Sequence, residues 1–263
     1  MVTVADVLTY LETLAPTAMK EDWDRVGLNC GHADKEVHRI LVALDPFADV
    51  CREAKDVGAD LLIAHHALLW TPGFITDQDE QGRNALFLIE NGIAMINAHT
   101  NLDQAPGGVN DILAEKLGLQ NIRVICPKGT DANGNEWGLL RQGTVEKQSM
   151  SVFLSVVRDG LGCEGLRYVD CGKPVCKVAV GGGACAGEMM QAAQAGCDTF
   201  VTADVKYNQF WDAKALGLNL IDAGHFYTEN PVCRYLVQKL REKFPQVTVT
   251  LSTVHTDCAK FFQ

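Results

Sequence analysis

No Cys-x-x-Cys pair occurs among the ten cysteines of this 263-residue chain. The nearest two, Cys171 and Cys176, have no second pair to complete a structural zinc site. In a chain of this length without a secretory signal, the cysteines read as reduced and mostly buried thiols rather than as a disulfide framework. Basic residues are also scarce. The 23 Lys and Arg are outnumbered by 33 Asp and Glu, and a net charge of −10 argues against broad, unassisted binding to nucleic acid, which needs a basic stripe. A small anionic substrate stays compatible with that charge if metal ions supply local positive potential. The opening residues, Met1-Val-Thr-Val-Ala-Asp6, lack the basic region and apolar run of a secretory signal. No apolar stretch reaches membrane-spanning length, so the expected location is the cytoplasm, away from membranes. No P-loop lysine pattern is present either.

What is present is an ordinary globular composition, 47% apolar and 21% charged, in a chain long enough to bury a substantial core. Ile40 to Leu44 (ILVAL) is a short aliphatic run ending at Asp45-Pro46, as a buried strand entering a loop should. A helical segment follows, and Gly58-Ala-Asp60 then opens a second buried strand, Leu61-Leu-Ile-Ala64, which runs into His65-His66. After a helix around Ala85 to Asn91, Gly92-Ile-Ala-Met-Ile-Asn-Ala98 reads as a third strand and leads into His99.

The same order recurs later. Val178-Ala-Val180 leads into Gly181-Gly-Gly183 and a helix, and Gly196 to Asp204 then gives the next strand. The spacings from Ile40 to Val178 and from Gly58 to Gly196 are both 138, and Gly92 to Gly217 echoes at 125 across a shorter loop. Strand and helix alternating at this spacing imply right-handed crossovers, so the chain reads as two similar α/β units with mainly parallel sheets. The seam is expected at Ile125 to Asn135, where Cys126-Pro-Lys-Gly129 and Asp131-Ala-Asn-Gly-Asn135 supply turn residues. The expected units are therefore residues 1–125 and 126–263, with Glu136 to Val169 adding strands and a helix to the second. One continuous sheet is the alternative arrangement.

Three groups of chemically capable residues follow these strands. His65 and His66 are adjacent, and alternation along a strand would point them to opposite sides, an arrangement suited to one ion each rather than to joint chelation. A histidine at a strand end is also commonly a hydrogen-bonded structural group. His99-Thr-Asn-Leu-Asp103 adds a carboxylate and another imidazole, although Asp near Gly and Pro often only organises a loop. In Gly224-His-Phe-Tyr-Thr-Glu229, His225 and Glu229 are four apart and share a helical face, suited to chelation or to a plain surface pair. Pro231 limits how simple that helix can be. All three groups lie at C-terminal strand ends, the edge where ligands bind in open α/β sheets. Imidazole and carboxylate donors suit zinc, iron, manganese or related divalent ions. Glu229 is the carboxylate best placed to bridge two ions about 3.5–4 Å apart. His99 either joins the ligands or orients Asp103. By the repeat, Asp204, Lys206 and Tyr207 occupy the second unit's counterpart of the His65-His66 position, as phosphate contact and proton shuttle or as an ordinary loop ion pair.

Trp23-Asp-Arg-Val-Gly-Leu28, Ala64-His-His-Ala-Leu68, His99 to Asn110 and Ile221-Asp-Ala-Gly-His-Phe-Tyr-Thr-Glu229 together resemble the signatures of the GTP cyclohydrolase 1 type 2 homolog family, also called NGG-interacting-factor-three-like. The likeness spans roughly residues 20 to 230. It implies two interlocked α/β units with a dinuclear metal centre between them, arranged as a ring-shaped homohexamer. Carried over residue by residue, it implies that His65, His66, Asp103, His225 and Glu229 are ligands to two divalent ions. Ala67 departs from the family's usual proline, Asn208 stands where histidine is common, and Gly181-Gly-Gly-Ala-Cys185 replaces a more serine-rich loop.

The expected chemistry is metal-assisted hydrolysis of a nucleotide such as GTP or of a related small molecule. Gly181 to Gly183, at a strand-to-helix turn, are candidates to offer amides to phosphate. A non-catalytic metal-binding, metal-delivery or scaffold protein is the competing expectation. Regulation through a protein partner at an acidic Trp23-Asp24 patch is a third, with Trp23 otherwise packed at a subunit or domain contact.

Overall fold

The computed structural model describes residues 1–70 and 73–262. Its strands form two sheets and one short hairpin. The first sheet contains β1 (Gly27–Cys30), β2 (Arg39–Ala43), β3 (Leu61–Ala64), β4 (Ala94–Asn97) and, from near the end of the chain, β13 (Thr248–Leu251). The second contains β5 (Gln120–Ile125), β8 (Leu140–Gln148), β9 (Arg167–Val169), β10 (Val175–Val180), β11 (Thr199–Thr202) and β12 (Asn219–Asp222). The hairpin pairs β6 (Gly129–Thr130) with β7 (Glu136–Trp137), inside the turn-rich stretch that the sequence marks as a connection.

The first sheet has the order β1-β4-β3-β2-β13. Strands β13, β2, β3 and β4 run parallel, with Ile40 opposite Leu61 and Leu61 opposite Ala94, and β1 closes the edge antiparallel. Every residue of β3 and β4 is buried, which explains their unbroken apolar runs: a parallel strand covered on both faces has no solvent side to mark with polar residues. On one face Leu41, Ala43, Leu62, Ala64 and Met95 pack with Val50, Cys51 and Ala54 of helix Ala48–Asp56 and with Ala85 and Leu88 of helix Glu80–Glu90. The alternate residues Ile40, Val42, Leu61 and Ile63 are buried as well and point to the other face. Helix Val4–Leu14 is started by a capping box between Thr3 and Asp6, and its Tyr10 ring meets Phe244 edge-on at 5.6 Å.

The second sheet has the order β5-β8-β10-β11-β12-β9. Its three central strands are parallel, with Val178 opposite Thr199 and Thr199 opposite Asn219, so the registers of the two parallel cores echo each other as the 138-residue spacing implies. Antiparallel strands extend it on both sides, β8 and β5 beyond β10 and β9 beyond β12. Val178, Val201 and Ile221 face a cluster with Phe153 and Leu113, while Ala179, Phe200 and Leu220 face another with Met189 and Leu140.

The compact units differ from the consecutive halves 1–125 and 126–263. One combines Met1–Leu102 with Val232–Thr256, and the other Asp103–Pro231 with Asp257–Gln263. The physical reason is β13, whose backbone pairs with β2 and carries helix Pro231–Lys243, from Val232 onward, into the first unit. Pro231 opens that helix, where its missing amide hydrogen costs nothing, and so separates it from the short helix His225–Glu229.

Candidate metal centre

In the first unit three imidazoles converge. Strand β3 stops at Ala64, so His65 and His66 lie beyond the alternating backbone, and their rings are 4.9 Å apart rather than on opposite faces as strand geometry would require. His99, just past β4, joins them, and one ring nitrogen from each of the three lies within 4.8 Å of the others. Each ring is held by Nδ1. His65 Nδ1 donates to the Ala98 carbonyl at 2.8 Å, His66 Nδ1 meets Asp45 Oδ1 at 2.6 Å, and His99 Nδ1 meets Asp24 Oδ2 at 3.0 Å. A carbonyl oxygen can only accept, so His65 carries its proton on Nδ1 and presents the Nε2 lone pair. Carboxylates impose the same tautomer on His66 and His99, the arrangement by which proteins orient metal-binding imidazoles.

These carboxylates are residues that reasoning from sequence misplaced. Asp45 reads as half of a loop dipeptide, yet it sits two residues past the end of β2 just as His66 does past β3, and the same strand-end rule would have found it. A partner-binding patch at Trp23-Asp24, the third of the functional alternatives, would need Asp24 at the surface. Asp24 is instead buried, and also accepts from the Thr100 amide at 3.0 Å and hydroxyl at 2.5 Å. Burial pushes the Asp24 carboxyl up, but hydrogen bonds from His99 and Thr100 outweigh it and hold the group well below the usual carboxylate range. Asp45 is likewise depressed, with His255 and His66 overcoming desolvation. Trp23 itself is 66% exposed, with its ring 5.9 Å from that of His99.

The second unit gathers a ligand-type group of its own. On helix His225–Glu229 the i, i+4 spacing brings His225 Nε2 to 2.9 Å from Glu229 Oε2, and one oxygen each of Asp103 and Glu229 lie within 4.8 Å. His225 Nδ1 meets Asp204 Oδ2 at 2.8 Å, so Asp204 holds this ring as Asp45 holds that of His66. With Nδ1–H directed at Asp204, the close approach of Nε2 to Glu229 requires a proton between them, on the ring or on the carboxyl, or a cation shared between them. Buried carboxylates beside imidazole nitrogens thus fit a divalent ion. Lys206 and Tyr207 are exposed, and Tyr207 begins the helix Tyr207–Leu216. Asn208 is exposed and Ala67 buried, so the two departures from the family pattern lie in contrasting surroundings.

The glycine loop does not offer a phosphate cradle. Gly181 N donates to the Val201 carbonyl at 3.0 Å, Gly182 N to Asn110 Oδ1 at 2.7 Å and Gly183 N to Thr228 Oγ1 at 3.0 Å. All three amides are engaged within the unit. The loop's use is different: Asn110 also donates to the Asp103 carbonyl at 3.1 Å, so it ties the glycines to the segment bearing Asp103.

Beside His66, within the first unit, lies a cavity of about 560 Å³ whose walls include Arg25, Asp45, Phe47 and Trp70. Its size and mixed aromatic and charged lining are those of a small-molecule site.

The profile of the Duf34/NIF3 (NGG1p interacting factor 3) family matches residues 2–258. A Clostridium perfringens protein named GTP cyclohydrolase 1 type 2 homolog is 35% identical over 241 residues, covering 90% of this chain and 91% of its own. Another protein of that name, from Nostoc sp., is 34% identical over 265 residues and 98% of each chain. In three dimensions, a Bacillus cereus protein described as related to NIF3 superposes with a TM-score of 0.93 at 26% identity, over 100% of this chain and 99% of its own.

Proposed function

The chain belongs to the Duf34/NIF3 family, and on that premise we propose that it is a dinuclear metal-dependent hydrolase in which His65, His66, Asp103, His225 and Glu229 hold two divalent ions. The observation that carries this reading is the common treatment of the histidines: Nδ1 of His65, His66 and His225 each meets a carbonyl or carboxylate, which turns Nε2 toward the ligand side. The nitrogen and oxygen donors suit zinc, iron or manganese. Ions held there would lower the pKa of bound water and stabilise developing negative charge on a substrate. The protein's own contribution is orientation: Ala98, Asp45 and Asp204 fix the rings, and Trp70 and Phe47 give the cavity beside His66 aromatic walls against which a substrate can pack.

The substrate is a small molecule, with a nucleotide such as GTP the leading class because relatives carry the name GTP cyclohydrolase 1 type 2 homolog. Arg25 in the cavity wall is the side chain suited to an anionic group. The protein works in the cytoplasm as a homohexamer; among the described residues no helix is long and apolar enough to cross a membrane.

A second reading, a metal-binding, metal-delivery or scaffold protein without turnover, is favoured by the glycine loop, whose amides are already engaged and leave no backbone phosphate site there. Titration of the purified protein with divalent ions, followed by assay on GTP and a nucleotide panel, separates the two. Turnover that disappears in His66→Ala supports the hydrolase; tight metal uptake without turnover supports the alternative.

A further inference from the structure

His255 lies 189 positions from His66, in the segment just past β13. That segment is fixed rather than trailing. Ser252 N donates to the Val42 carbonyl at 2.8 Å, which extends the β2–β13 ladder by one bond. Glu53, on helix Ala48–Asp56, accepts from the Ser252 hydroxyl and from Thr253 N and Oγ1 at 2.9 and 2.7 Å, and the His255 amide donates to Ser252 Oγ at 3.3 Å. The turn delivers His255 to a buried position, its side chain 7% exposed, with the ring centroid 6.1 Å from that of Phe47.

There His255 Nε2 meets Asp45 Oδ2 at 3.0 Å, while the other oxygen of the same carboxylate meets His66 Nδ1 at 2.6 Å. Each oxygen of Asp45 therefore takes one imidazole. A carboxylate held only through Oδ1 can rotate about its terminal bond, whose torsion is broad, and would let the His66 ring swing with it. A second donor on Oδ2 removes that freedom.

We propose that His255 is a positioning residue of the metal site, locking Asp45 so that His66 presents Nε2 in one fixed direction. The inference rests on the proposed role of His66 as a metal ligand.

Two measurements on the intact 263-residue chain test it. In the first, chelator competition gives the dissociation constants for Zn²⁺. Replacing His255 with phenylalanine is expected to weaken one of the two ions about 10–100-fold, the range for losing a group that orients a ligand. His255→Gln, which keeps an N–H donor near Oδ2, is expected to restore most of that affinity with the same thermal stability as His255→Phe. In the second, nitrogen NMR of the metal-free protein reads the His66 ring directly. A single Nδ1-protonated tautomer is expected in the wild type and a tautomer mixture in His255→Phe. Unchanged zinc affinity together with an unchanged His66 tautomer overturns the inference. If the wild type binds no zinc, the metal reading fails instead, and the NMR comparison alone then decides whether His255 positions His66.

Discussion

Glu229 lies so close to Gly183 that a side chain on the glycine would have to displace its carboxylate. A Cβ built there falls inside contact distance of Glu229 Oε1 and 3.0 Å from both Glu229 Cδ and His225 Nε2. Gly183 also has a φ of +61°, in the left-handed region where a side chain is strained. The glycine loop is thus explained by the approach of the proposed ligands.

Gly183→Ala should accordingly lower stability by about 1–3 kcal/mol, the range for forcing a side chain into an unfavourable backbone conformation. Metal uptake should fall at least tenfold, because Glu229 and His225 are pushed from their places. Thermal unfolding and metal content of the same preparation check both effects. Gly187→Ala, where an added Cβ meets nothing within 4 Å, should leave uptake unchanged.

Arg141 is fully buried and doubly paired with Asp111, Nε to Oδ1 at 2.6 Å and Nη2 to Oδ2 at 3.0 Å. It also donates to the Gln104 and Ala105 carbonyls, both at 3.2 Å, just after Asp103. Arg141→Leu should cost about 3–5 kcal/mol in urea unfolding, since it leaves the partly buried Asp111 carboxylate without its cation and removes the side-chain donor to the Gly138 carbonyl, while the Gln104 and Ala105 carbonyls keep the Gly138 and Gly108 amides. Asp111→Leu in the same background should recover part of the loss by removing the unpaired charge.

Asp24 gathers His99 and both polar groups of Thr100 around one buried carboxylate. Removing it leaves those donors unsatisfied at about 1–3 kcal/mol each, so Asp24→Ala should be strongly destabilising. Asp24→Asn, which keeps one acceptor oxygen, should lie between Asp24→Ala and the wild type in the same unfolding experiment.

Burial pushes the thiols of Cys51 and Cys163 up to about 12 and those of Cys30 and Cys197 up to about 11. At pH 8 these four should resist a thiol reagent until the protein unfolds, while exposed Cys126 and Cys258 react first. The same shifts fix a pH dependence. Below the ordinary thiol value of about 8.5 both folded and unfolded chains keep these protons, and the thiols' contribution to stability is intact. As pH rises toward 11 and 12 the unfolded chain loses its protons first, so stability should fall steadily across that window.

The central strands were legible because burial on both faces writes them as plain aliphatic runs. Leu61–Ala64 is a strand residue for residue, and β4 and β12 fall within the runs read from Gly92 and Gly217. The outer strands were not. β8 (LRQGTVEKQ) mixes charged and apolar residues, and its identity as a strand comes from pairing with β10 and β5 rather than from its own pattern. The grouping of chain into units was hidden for a similar reason, since no local signal announces that Thr248 pairs with Arg39.

The candidate site divides along the same line. Ligand-type residues at strand ends could be read from sequence, and the same rule reaches the position of Asp45, but the aiming roles of Asp45, Asp24 and His255 carry no mark of their own. Asp45 resembled a turn residue, Asp24 a surface acid, and His255 belonged to no motif. The glycine loop misled in the opposite direction, because a sequence does not say whether its amides already have acceptors. Strand alternation failed for His65 and His66 because it applies only where the strand continues, and β3 ends at Ala64.

The most direct measurement is anomalous scattering from crystals of the protein loaded with zinc or manganese, recorded above and below the metal's absorption edge. Two peaks per chain are predicted, with His65, His66, Asp103, His225 and Glu229 together supplying their protein ligands. Fully loaded crystals in which these five side chains bind no ion, or in which the metal sits elsewhere, would contradict the account.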